Sequence, residues 1–132
     1  MRIAIGLTGS SGAVYAVEFI KHCPGDKYLV ASKWGKAVLH DEMGMQEREL
    51  APYVKKIFSN DDLHAPIASG SNHLDAFIVI PCTVSTLAKI ASGIGAHDGF
   101  ETVFKICEHL AANGRVKKTA GAGAMAGSYA SV

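Results

Sequence analysis

Residues 2–16 read RIAIGLTGSSGAVYA, and this stretch decides the fold. Residues 2–8, RIAIGLT, are a largely apolar run that reads as a buried strand. Residues 12–22 carry Val14, Val17, Phe19 and Ile20, which supply the apolar side of a helix. Between them stand Gly6, Gly9 and Gly12 with Ser10 and Ser11, so the most permissive residues lie where a strand hands over to a helix. Such a junction is either a tight turn or a place that receives an anion at a helix start.

The same alternation continues outward. Cys23-Pro24-Gly25-Asp26 stops the first helix, and KYLVAS at 27–32 reads as a second strand. Helices are expected over 34–43 and 46–57, with Pro52 tolerable only in the first turns of the latter. DAFIVIP at 75–81 is an unbroken apolar run, which suits a central strand covered on both faces, and 83–92 reads as a helix after it. Strands alternating with helices imply an α/β fold with a parallel sheet and crossover connections. Residues 100–112 have helical period through Phe100, Val103, Phe104, Cys107 and Leu110. The expected organisation is one α/β domain over 1–114 and a Gly/Ala-rich tail over 115–132, flexible or held by a partner.

A chain of 132 residues is enough for one modest core, and 48% hydrophobic with 19% charged residues is ordinary for a globular protein. A net charge of +1 gives no reason to expect nucleic acid or an anionic membrane as partner. No apolar run approaches the roughly 20 residues that span a bilayer, and no secretory leader pattern opens the sequence, so the cytoplasm is the expected compartment. The three cysteines, Cys23, Cys82 and Cys107, form no C-x-x-C pair, which argues for reduced thiols. The six histidines show no i, i+4 pair, so no metal site is expected.

In a parallel sheet, ligands bind where strands lead into helices at the carboxyl edge. Three such loops here are rich in hydroxyls and glycine: Gly9-Ser10-Ser11-Gly12, Ser32-Lys33-Trp34-Gly35, and Pro81-Cys82-Thr83-Val84-Ser85-Thr86. Taken singly, each reads first as a helix cap. Together they offer a convergent anion site, and glycine at 9 and 12 would let a ligand approach the backbone. A short-chain dehydrogenase is disfavoured because none of the four tyrosines has a lysine four residues on. A P-loop is excluded by the missing G-K-[ST].

GLTGSSGAVYA, ASKWGKAVLHDE, APIASGS and DAFIVIPCTVSTLAKIASGI, in that order, resemble the flavin prenyltransferase family of UbiX type over residues 1 to about 95. The resemblance implies a three-layer flavodoxin-like fold that binds FMN and needs no metal. It implies transfer of a dimethylallyl group from dimethylallyl phosphate to reduced FMN, with the product serving UbiD-type decarboxylases, and homo-oligomers built on trimers up to a dodecamer. By position it places the flavin against Gly9, Ser10, Ser11, Ser32, Thr83, Val84, Ser85 and Thr86, with Ser11 near the reacting edge and Glu42 as the active-site carboxylate. From the residues alone, Glu42 in HDE reads as a solvated acid.

The segment after Gly95, AHDGFETVFKICEHLAANGRVKK, does not align with the family, and Trp34 and Gly35 stand where small residues are usual. The family's cationic donors for the prenyl phosphate come from that unaligned part, so the expectation is FMN binding with transfer that is slow or absent. Two other readings remain open: a non-prenylating FMN protein of the decarboxylase-related family, and an NAD(P)-dependent reductase.

Overall fold

The computed structural model describes residues 1–62, 64–69, 72–92, 116–120 and 127–131. Strand β1 (Arg2–Leu7) leads to helix α1 (Ala13–His22), strand β2 (Asp26–Ala31) and helix α2 (Lys33–Met43). A 3₁₀ segment (Glu47–Tyr53) precedes strand β3 (Lys56–Ser59), and a 3₁₀ turn (Pro66–Ala68) precedes strand β4 (Ala76–Val79) and helix α3 (Val84–Ser92). Strands β5 (Val116–Ala120) and β6 (Gly127–Ser131) form a separate antiparallel ribbon.

The main sheet has the order β3-β2-β1-β4, and every pairing in it is parallel. Ile3 faces Lys27 on one side and Ala76 on the other. Alternation along β1 sends Ile3, Ile5 and Leu7 into a cluster with Ala13, Ala16, Val17 and Ile20 of α1 and Leu39 of α2. Ala4 goes the other way, with Tyr28, Val30, Phe58, Ala65, Ile67 and Leu74. Both faces of β1 and β2 are therefore covered, which is what their near-continuous apolar runs require. Each fully buried Ile or Leu contributes about 1.5–3 kcal/mol relative to exposure.

Helix ends follow local chemistry. The α1 run stops at Cys23, whose N–H reaches Phe19 O, and Pro24 follows. Helix α2 ends at Gly44, which takes φ 64° while its N–H donates to His40 O at 2.8 Å. Lys36 then ties α2 to Glu47 of the 3₁₀ segment at 2.7 Å.

Two expectations change. The helix expected over 46–57 is a 3₁₀ segment followed by strand β3. Glu49 closes a capping box on Gln46, but Pro52 ends the segment, and Ile57 and Phe58 then turn to the core beside β2. The run at 75–81 forms β4 as expected, but among the described residues it is the sheet's edge, and Ala76–Val79 are only half-buried. The tail expected over 115–132 contains the β5–β6 ribbon, in which Lys118 faces Tyr129. The helix expected over 100–112 lies outside the described residues.

Candidate functional site

The chain order of the sheet reverses at β1. From there β2 and β3 lie to one side and β4 to the other. The carboxyl ends of β1 and β4 thus flank a topological switch point, where helices leave the sheet in opposite directions and open a crevice. The loop after β1 and the loop after β4 meet there, and Thr8 joins them. Its Oγ1 donates to Pro81 O at 2.6 Å and accepts from the Thr83 N–H at 3.0 Å. Thr8 is almost wholly buried, and its own N–H also reaches Pro81 O at 3.3 Å. In the sequence Thr8 is only the last residue of the apolar run RIAIGLT and had no task assigned to it. A lone hydroxyl at the end of an apolar strand was the signal for one.

The second loop is pressed against the first. The Ser32 N–H donates to Leu7 O at 3.0 Å, and the Ser32 Oγ accepts from the Gly35 N–H at 3.0 Å, capping α2. A Cβ on Gly9 would collide with Cβ of Trp34, and a Cβ on Gly35 would collide with Leu7 O. These two glycines let α2 and the first loop touch backbone to backbone. Gly9 was expected to let a ligand approach the backbone; the place its own side chain would take is occupied by Trp34. Gly12, by contrast, has φ 106° and begins α1 in a conformation that side chains disfavour.

Glu42 lies near the end of α2 and reaches back to the start of α1. Its Oε2 accepts from the Gly12 N–H at 3.0 Å and the Ala13 N–H at 2.8 Å. With Trp34 on Gly9 and Glu42 on Gly12, α2 lies across the first loop. The Ser11 hydroxyl, then the Ala13 and Gly12 N–H groups, hold the Glu42 carboxyl below the usual carboxylate range, against a smaller opposing effect of burial. Glu42 is therefore an ionised cap on α1, with Ser11 beside it.

At the third loop, the Thr83 Oγ1 accepts from the Thr86 N–H at 3.1 Å and lies 2.8 Å from the Thr86 Oγ1. Thr86 is buried, Val84 and Ser85 are exposed, and the Leu87 N–H returns to Thr83 O at 2.9 Å. Burial pushes the neighbouring Cys82 thiol up, which keeps it protonated and a poor nucleophile. Gly9 and Ser10 are half-buried and Ser11 is exposed. The sequence-derived positions thus gather on one edge: Gly9, Ser10 and Ser11 in the first loop, Ser32 in the second, and Thr83, Val84, Ser85 and Thr86 in the third. Among the described residues, no group of three His, Cys, Asp or Glu could hold a metal ion, and no helix is long and apolar enough to cross a membrane.

Residues 1–106 match the family model described as Flavoprotein. The chain belongs to the Flavoprotein family. Over 95 residues it is 39% identical to the flavin prenyltransferase UbiX of Thermoplasma acidophilum, covering 71% of this chain and 53% of that protein. The dodecameric FMN-dependent UbiX-like decarboxylase from Escherichia coli O157:H7 superposes with a TM-score of 0.76 at 33% identity, covering 87% of this chain and 63% of the other. AnUbiX (PadA1), in complex with FMN and dimethylallyl pyrophosphate, superposes with a TM-score of 0.73 at 28% identity, covering 83% and 57%. The fold of this family member is accordingly flavodoxin-like, as expected. The chain spans about half the length of the curated relatives it matches.

Proposed function

We propose that this edge of the sheet binds FMN and serves the chemistry of flavin prenyl transfer, in which a dimethylallyl group passes from dimethylallyl phosphate to reduced FMN. The observation that carries the reading is the convergence of three hydroxyl-bearing loops at the β1/β4 switch point, with the Ser11–Glu42 pair beside them. The likeness to the UbiX proteins, one of them in complex with FMN and dimethylallyl pyrophosphate, supports it.

The residues fit the cofactor. Glu42 already occupies the amides that open α1, so a second anion is repelled from that terminus. The phosphate is left to the starts of α2 and α3, where Ser32, Thr83, Ser85 and Thr86 supply hydroxyls. The isoalloxazine ring is flat and largely apolar, and exposed Val14, Tyr15, Val84 and Leu87 offer it apolar surface. When bound and reduced, FMN supplies the nucleophile for the prenyl group.

The chain's own residues position and buffer that event. With its proton turned to the Glu42 carboxylate, the exposed Ser11 hydroxyl would offer its oxygen to a ligand as an acceptor. Glu42, held ionised, can take up a proton through Ser11 without leaving its cap on α1. The wider reading follows the family pattern: a homo-oligomer built on trimers, a UbiD-type decarboxylase as recipient, and a cytoplasmic location that suits free Cys23 and Cys82.

The test is to purify the protein, identify any bound flavin by mass and absorbance, and assay it anaerobically with reduced FMN and dimethylallyl phosphate. Bound FMN is expected, with the spectrum of prenylated flavin appearing slowly or not at all. A bound nicotinamide instead, with no affinity for FMN, would sink the reading.

A further inference from the structure

Large apolar side chains are seldom left in water without a reason when they cluster. Among the described residues, Val14 and Tyr15 in the first turn of α1, Trp34 in the first turn of α2, and Val84 and Leu87 in the first turn of α3 are all exposed at the carboxyl edge. Trp34 stands apart. It is 68% exposed, yet its Cβ is fixed against Gly9, so its base is rigid while its ring is bare. The Lys33 ammonium lies 5.7 Å from the ring centroid and biases the indole's orientation. The side chain leaves the backbone beside the Ser10–Ser11 loop and next to the capping Ser32.

We propose that Trp34 is a stacking residue of the flavin site, receiving the planar heteroaromatic ring on its indole face. The inference rests on the FMN reading above and adds a contact that reading does not use. An electron-rich indole and an electron-poor isoalloxazine attract in an offset stack, and both bury apolar surface in doing so. The ordering cost is low, because a tryptophan has only two side-chain torsions to fix and a helical backbone already disfavours one χ1 rotamer. The competing occupant is a second copy of this chain lying over the indole.

The experiment measures FMN affinity by flavin fluorescence for the wild type, Trp34→Phe and Trp34→Ala, with ribitol 5-phosphate as a ring-free competitor. Trp34→Ala keeps the Cβ that Gly9 accommodates and removes a mostly exposed ring, so its thermal midpoint should match the wild type. Expected is a loss of about 3- to 10-fold in FMN affinity for Trp34→Ala, and a change within about twofold for Trp34→Phe. Competition by ribitol 5-phosphate should be the same in all three proteins. Unchanged FMN affinity in Trp34→Ala overturns the proposal. So does a change in sedimentation without a change in FMN affinity, which would assign the indole to a contact between copies. Failure of the wild type itself to bind FMN refutes the underlying functional reading rather than the role of this side chain within it.

Discussion

Replacing Thr8 with Val keeps the shape of the side chain and removes its hydroxyl. The buried Pro81 carbonyl loses its 2.6 Å partner and keeps only the Thr8 N–H at 3.3 Å, and the Thr83 N–H loses the 3.0 Å bond that anchors it. A buried polar group left unpaired costs about 1–3 kcal/mol. Thr83 is half-buried, so water can reach its N–H, and the total for Thr8→Val stays near about 1–3 kcal/mol. For a domain of this size that is on the order of 4 °C in thermal midpoint per kcal/mol. Thr8→Ser is the control: it keeps both bonds and gives up one methyl, worth about 0.8 kcal/mol. Urea unfolding followed by far-ultraviolet circular dichroism gives the stabilities, and hydrogen exchange reads the Thr83 amide directly. That amide should exchange faster in Thr8→Val and stay protected in Thr8→Ser, and only the Val variant should lose FMN affinity. A Val variant as stable as the wild type, with Thr83 still protected, would refute the claim that Thr8 holds the two loops together.

Glu42→Gln should lower stability at neutral pH and flatten its acid dependence. The folded carboxyl lies below its ordinary value of 4.5, so its contribution is complete above that pH and is lost as pH falls through the lower folded value. Thermal melts from pH 7 to 3 should show the wild type and the variant converging below that point. Gly9→Ala should cost about 1–3 kcal/mol in a chemical denaturation experiment, because the new Cβ must displace Trp34 and with it the start of α2. Ser32→Ala removes the α2 cap and should cost about 1 kcal/mol, with weaker FMN binding in a fluorescence titration. An unaltered FMN affinity there would remove Ser32 from the site.

Among the described residues, the three helices and three of the four strands of the main sheet were legible because each carries its own local signal. The runs at 2–8, 27–32 and 75–81 are apolar, and the helices after them begin at glycine, serine or threonine. Strand β3 was not legible, because only Ile57 and Phe58 mark it and Glu47–Tyr53 mimics helical period before Pro52 intervenes. The edge position of β4 among the described strands is a property of pairing, which a single apolar run does not encode. The site loops were readable from composition and from the family pattern. The contacts within them were not. Nothing in HDE shows that Glu42 reaches the amides of Gly12 and Ala13 30 and 29 residues away. Nothing in a glycine spacing says that Trp34 stands where a Gly9 side chain would be.

The bond between Thr8 and Thr83 spans 75 residues. β1, α1 and β2 are neighbours in sequence and can assemble through short loops, whereas β4 joins β1 only by closing a much longer one. Among the described elements of the sheet, the crevice is therefore the last to exist as the chain is synthesised. A nascent chain that has completed β1, α1, β2 and α2 has its Glu42 cap and its Ser32 turn, but no Pro81 or Thr83 to meet Thr8. On the proposed reading, ligand competence would arrive in one step, when β4 and the start of α3 emerge and dock. Until then the free edge of β1 is open to the wrong strand, so a ligand that grips both loops would also act as a folding aid during synthesis.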